Sequence, residues 1–332
     1  MISFANNQSQ VISMYVKGDI MKRACGIVLR IVLFMFCLIS SAIFAANEES
    51  DKHAFSLVIR GGAGSFGIGD MNTTLTSMNA YYDWLRAVYP EDITGKFSAA
   101  SGRFEDWEAE IQWMAWKGFS IGLALSGPVR INNQGSISFL YSWTSAESIE
   151  SEVRIKAPIK LNLFYSLPVF SKVDLAISSG IGLYNARMLQ NMHWLYRYLD
   201  DTDTIGSYVF DVTGKTMGYH CGVVLAYKFD DRFSMLAETQ LRFAKVLSLK
   251  GSGTYTEQRR YVAGGNIISE ESDTQEGYLY HYYQDMYGVY LMEALQVFSD
   301  PSAIESYVSE LRKATLDLNG FTFKIGLKIG LF

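Results

Sequence analysis

Residues 320–332 read GFTFKIGLKIGLF. Phe321, Phe323, Ile325, Leu327, Ile329 and Leu331 alternate with Thr322, Lys324, Gly326, Lys328 and Gly330. Successive side chains of a strand point to opposite faces, so this segment turns one oily face and one polar, cationic face to its surroundings. A half-buried strand of a soluble sheet has the same pattern. The choice rests on whether the alternation recurs often enough to close a barrel in a membrane.

It does recur, in runs near the 9–11 tilted residues that a strand needs to cross a bilayer. Residues 55–63 place Phe55, Leu57 and Ile59 outward, with Ser56, Arg60 and Gly62 inward. Residues 104–116 place Trp107, Ile111 and Trp113 outward, with Glu108, Glu110 and Gln112 inward. Residues 119–127 alternate Phe119, Ile121, Leu123 and Leu125 with Ser120, Gly122, Ala124 and Ser126. Residues 153–165 set Val153, Ile155, Ile159, Leu161, Leu163 and Tyr165 against Arg154, Lys156, Lys160 and Asn162. Stretches 173–184, 219–228 and 233–247 and the terminal segment complete eight crossings. A further extended stretch, 135–143, either projects beyond the bilayer or raises the count to ten.

The connections alternate in length. Short links fall at 116–119, 167–172 and 228–233; long ones occupy 68–103, 128–152, 187–217 and 250–318. Short periplasmic turns and long outer loops are the habit of outer-membrane barrels. Two long loops carry helix signals. Residues 71–89 form an amphipathic stretch ended by Pro90, and 300–312 opens with Asp300 as a cap and Pro301 in the first turn.

Residues 21–45 read as an export signal: Lys22 and Arg23, an apolar run over 31–39, then small residues up to a cut after Ala45. Residues 1–20 then read as an over-long start, and 46–332 as the mature barrel. The whole chain carries −5, and losing Lys17, Lys22, Arg23, Arg30 and Asp19 makes the remainder more acidic. That excludes the basic footprint of a nucleic-acid binder. Cys25 and Cys37 leave with the signal, so Cys221 stands alone and no internal disulfide is expected.

By strand pattern and topology the chain resembles the small outer-membrane β-barrel proteins of the OmpA/OmpX/OmpW type. The resemblance implies an all-β fold, an eight-stranded antiparallel transmembrane barrel with short helices in extracellular loops, in the outer membrane of a double-membraned bacterium. Implied partners are outer-membrane lipid, the barrel-assembly machinery and an extracellular ligand. One departure is that Phe332 falls in phase with Lys324 and Lys328, not with the apolar residues before it.

The inward charges are Arg60, Glu108, Glu110, Arg154, Lys156, Lys160, Glu238, Arg242, Lys324 and Lys328. An eight-stranded barrel is just wide enough for side chains to fill, so opposite charges inside it are expected to pair and plug the bore. The surplus of bases keeps a passage for small anionic or apolar solutes as the alternative. A lipid-modifying enzyme is the second alternative, with His220 as a base at the outer rim and Ser126 or Ser248 near it. His53, His193 and His281 fall near the mature amino end or in loops, and no catalytic set is expected. Tyr278, Tyr280, Tyr282 and Tyr283 suggest a loop binding surface. The GxGxxG match over 62–67 lies in an alternating strand with no strand–helix repeat after it, so no nucleotide is expected. No metal or other cofactor is expected either.

Overall fold

The computed structural model describes residues 55–89, 93–141, 143–286, 290–304 and 308–331; the expected signal, the 1–20 extension, Pro90 and Phe332 lie outside them. In chain order the elements begin with β1 (Phe55–Phe66), α1 (Asp70–Val88), β2 (Ile93–Lys96), β3 (Arg103–Trp116), β4 (Phe119–Ser126) and β5 (Val129–Tyr141). They continue with β6 (Trp143–Ile155), β7 (Ile159–Phe170), β8 (Val173–Arg197), β9 (Thr202–Lys228), β10 (Phe233–Phe243) and β11 (Lys245–Val246). β12 (Lys250–Tyr261), β13 (Ile267–Met286), β14 (Tyr290–Phe298), β15 (Val308–Lys313), β16 (Leu316–Asp317) and β17 (Gly320–Gly330) complete the chain.

Eight of these strands close on themselves. The ladder runs β1-β3-β4-β7-β8-β9-β10-β17, and β17 pairs back onto β1, with every pairing antiparallel. Outward positions carry Ile59, Trp107, Ile111, Leu123, Leu161, Leu183, Val223, Leu241, Phe323 and Ile325, all exposed. A continuous apolar exterior around a closed ladder belongs in hydrocarbon, where every backbone group must find its partner within the sheet.

β8 and β9 then run on past the barrel, and their polarity inverts without a break in the strand. On β8 the outward residues change from Ile181 and Leu183 to Asn185 and Arg187, while the inward ones change from Ser178 and Gly180 to Ala186 and Met188. On β9 outward Val223 and Met217 give way to Lys215 and Asp211, and inward His220 gives way to Val212 and Phe210. The register pairs Leu183 with Met217 and Asn185 with Lys215, so both strands invert at one height. A strand leaving hydrocarbon for water must turn its polar face out and its apolar face in. That height marks the edge of the bilayer.

Above it the same sheet continues as an upper part, β2-β5-β6-β8-β9-β12-β13-β14, with β15 added on β13. The segments 128–152, 187–217 and 250–318, expected as loops, are therefore mostly strand. Of the stretch 135–143, residues 135–141 belong to this upper sheet through β5 and Trp143 through β6, so the barrel count remains eight. The crossing expected over 233–247 ends at Phe243. The helix expected over 300–312 is a single 3-10 turn, Pro301–Ala303, whose Asp300 carboxylate accepts from the Ser302 amide at 3.0 Å. The chain then pairs as β15 along β13, where open ladder positions offer the backbone more than an isolated helix would.

The helix expected over 71–89 is present as α1, and it spans the gap between the two edges of the upper sheet. It packs against both β14 and β2. Met71, Leu75, Met78 and Tyr82 face the core at helical spacing. Asparagine side chains substitute for a missing ladder: Asn79 Nδ2 donates to the Phe97 carbonyl at 2.6 Å and its Oδ1 accepts from the Phe97 amide at 2.9 Å. Asn72 makes the same pair of bonds with Ala100, at 3.1 and 2.9 Å. On the other flank the Glu293 amide donates to Ser77 Oγ at 3.0 Å. Inside this second storey a large apolar core gathers Ile68, Phe97, Ile137, Ile149, Met188, Phe210, Leu249 and Leu279.

The start of α1 is tied by Asp70, which accepts from Arg312 Nη1 and Nη2 at 2.6 and 2.8 Å and from the Thr315 amide at 2.7 Å. Burial pushes its carboxyl pKa up, but these donors outweigh burial and hold it below the usual range. A carboxylate depressed by folding contributes stability above its unfolded pKa and loses it as pH falls through the folded value. Asp70→Asn is expected to loosen α1 by about 1.5–3 kcal/mol at neutral pH. Proteolysis within 88–103 should quicken, and the gap from the parent should narrow in acid.

Candidate functional site

The lumen is built where β1, β3, β7, β10 and β17 turn long charged residues inward and their neighbours turn glycine inward. A Cβ on Gly122 would lie 1.7 Å from Glu110 Oε1, and one on Gly180 would lie 2.5 Å from His220 Nε2. Glycine is thus the space these larger side chains occupy. Gly62 and Gly64 likewise sit in an antiparallel strand between β17 and β3, which is no setting for a dinucleotide turn.

Glu108 is the hub. Its carboxylate accepts from Arg60 Nη1 at 2.6 Å, Lys160 Nζ at 2.6 Å, Lys324 Nζ at 2.9 Å and Ser126 Oγ at 3.0 Å. Arg60 also reaches Glu110 at 2.5 Å and Glu238 at 3.2 Å, and Lys324 reaches Asp106 at 3.1 Å. Glu110 accepts from Asn162 Nδ2 at 3.1 Å, and Asn162 Oδ1 lies 2.6 Å from His220 Nε2. Three buried cations, Arg60, Lys160 and Lys324, pair with four buried acids, Asp106, Glu108, Glu110 and Glu238, and a fourth buried cation, Arg242, lies in the same bore, among the described residues.

Layers lie on either side of this ionic zone. Towards the short turns Val58, Phe164, Ala176, Val224 and Leu236 form a small apolar cluster. Towards the upper sheet Arg242 donates to the Leu318 carbonyl at 2.8 Å and lies 5.2–5.9 Å from the ring centres of Phe66, Phe104 and Tyr184. Its guanidinium therefore borders both the polar lumen and the apolar core above.

Of the inward residues expected from sequence, Arg60, Glu108, Glu110, Lys160, Glu238, Arg242 and Lys324 are buried in the barrel. Arg154 and Lys156 are not. Both are exposed on the outside of the upper storey, because β6 ends at Ile155, the chain turns, and β7 begins at Ile159. Lys328 shares the phase of Lys324 but lies half-buried near the short-turn end, opposite Val58 and Ser234. Asp106 is an unanticipated member, although it shares a face with Glu108 and Glu110. Without Arg154, Lys156 and the half-buried Lys328, and with Asp106 added, buried bases and acids in the bore are equal in number, four of each among the described residues. His220 is also corrected, from a rim position to a buried site in mid-barrel.

The tyrosines divide. Tyr278 and Tyr280 are half-buried on the flank of the upper sheet, with Lys313 Nζ 3.7 Å from the centre of the Tyr278 ring. Tyr282 is buried and donates to Gln296 at 2.9 Å, burial pushing its pKa up to about 12. Tyr283 donates to Glu293 at 3.2 Å, and His281 Nε2 lies 2.9 Å from the same carboxylate. Burial raises the Glu293 pKa, yet the bonds from His281, Thr73 and Tyr283 outweigh it and leave it lowered. Of the four, Tyr282 is therefore internal packing, and the other three are half-buried. Among the described residues no group of His, Cys, Asp and Glu is placed to hold a metal ion.

No protein-family model matches the sequence, and no curated protein is similar to it in sequence. The fold is similar to that of the outer membrane protein OprG from Pseudomonas aeruginosa, at 10% identity over 83% of this chain and 96% of that one, TM-score 0.30. It is similar to a major outer membrane protein from Thermus thermophilus, at 11% identity over 83% and 99%, TM-score 0.30. It is also similar to the outer membrane protease OmpT from Escherichia coli, at 10% identity over 86% and 99%, TM-score 0.29. At these identities and scores the likenesses say nothing of what the chain binds or does.

Proposed function

We propose that this outer-membrane-type barrel has a structural or surface-binding role, and that its bore neither conducts nor catalyses. The observation carrying this reading is the even match of buried acids and bases in the lumen, stacked between two apolar layers. A conducting bore needs a continuous hydrated path, and an eight-stranded barrel is just wide enough for its side chains to fill or to hold one small ligand. His220, almost wholly buried against Asn162, is badly placed as a base for an outside substrate. What the protein offers to the exterior is its upper storey. The two hairpin tips there are joined where the Val262 amide donates to the Asp201 carbonyl at 2.8 Å, and they expose Tyr198, Leu199, Tyr261 and Ile267.

Purified protein in planar bilayers is expected to give no steady current at either polarity. Reproducible single-channel steps, anion-selective above all, would refute the closed bore and favour solute passage.

A further inference from the structure

We propose that the outer wall just above the apolar belt carries a collar of cations that binds a lipid headgroup bearing more than one phosphate. This rests on the reading that the belt lies in a bilayer and goes beyond the structural or binding role. Register places Arg130 opposite Arg154, and Arg154 opposite Arg187, so three arginines stand side by side on β5, β6 and β8. One rung lower, the Lys156 amide donates to the Asn185 carbonyl at 2.9 Å, and Asn185 pairs with Lys215. Two residues below Asn185 and Lys215 lie Leu183 and Met217, both well exposed on the belt. All five cations keep their side chains on the outer surface.

Like charges directly opposite across a sheet repel, and the fold answers them only in part. Glu152 bridges Arg130 and Arg154, and Asp211 accepts from Arg187 Nε at 2.7 Å. Neither Lys156 nor Lys215 has a side-chain partner among the described residues. Five cations against two acids leave a net positive band at the height of lipid headgroups. Long basic side chains there can lay their stems on the belt and hold their charges against phosphate. Two rungs spread over neighbouring strands suit a headgroup with several phosphates better than a single phosphodiester.

The test uses the full mature chain inserted into phosphatidylcholine vesicles, with a synthetic disaccharide lipid bearing two phosphates as the probe. Its monophosphorylated counterpart and phosphatidylglycerol serve as comparisons. The parent should bind the two-phosphate lipid most tightly, and added salt should weaken binding. Lys156→Gln with Lys215→Gln should weaken it about tenfold or more. Lys117→Gln with Lys172→Gln, at the short-turn end, should leave it unchanged. Equal binding of all three lipids, or equal binding by parent and the 156/215 variant, would overturn the collar alone. Failure of the parent to insert into plain phosphatidylcholine would overturn the membrane reading and the collar with it.

Discussion

Replacing Glu108 with alanine is expected to cost the barrel about 3–5 kcal/mol, because it leaves buried cations without their shared carboxylate. The loss does not fall evenly. Arg60 keeps Glu110 and Glu238, and Lys324 keeps Asp106, but Lys160 has Glu108 as its one ion-pair partner among the described residues. A lysine almost fully buried in a narrow lumen must then draw in water or shed its proton. Lys160→Met added to Glu108→Ala should therefore recover a large part of the loss, although each change alone destabilises. The midpoint of urea unfolding in detergent checks this. Additive losses in the double variant would mean the two side chains do not share one network.

The second large effect belongs to the upper storey. Phe210 lies on β9 just above the polarity inversion and is almost fully buried in the apolar core with Val212, Leu279 and Val297. Phe210→Ala should cost about 3–5 kcal/mol, for lost transfer energy and the cavity left behind. Hydrogen exchange should locate that loss: faster exchange in β5, β6, β12 and β13, with β1, β3, β4 and β17 unchanged. The barrel ladder closes without β2, β5, β6, β12, β13 or β14, so it should survive their loosening. Uniform acceleration in both storeys would show that they unfold as one cooperative unit.

These two storeys also explain which parts of the fold were legible in sequence. On β1, β3, β4 and β17 one alternating register holds along the strand, and Arg60, Glu108, Glu110 and Lys324, on the face that alternation turns inward, are buried. Alternation tells which residues share a face; it does not tell whether an oily face meets lipid or a protein core. Ile155 and Ile159 have the same parity and the same chemistry. Yet Ile155 is buried under the upper sheet, and Ile159 is exposed on the belt. A single strand drawn through both turned Arg154 and Lys156 into lumen residues, when they belong to the outside. On β8 the apolar face passes from Leu183 on one side to Tyr184 and Ala186 on the other. A period-two reading takes that slip for the end of a strand, which also put His220 at a rim it does not occupy. The closing role of α1 depends on edges distant in sequence, and no local pattern announces it.

The inversion on β8 carries the account, and nitroxide labels placed one at a time along that strand test it most directly. In a background without Cys25, Cys37 and Cys221, labels at Ile181 and Leu183 should be open to oxygen and closed to a water-soluble nickel chelate. Labels at Leu189 and Asn191, on the same face of the same strand, should show the reverse. If all four positions report water, or all four report lipid, there is no border between Leu183 and Asn185 and the two-storey barrel described here is wrong.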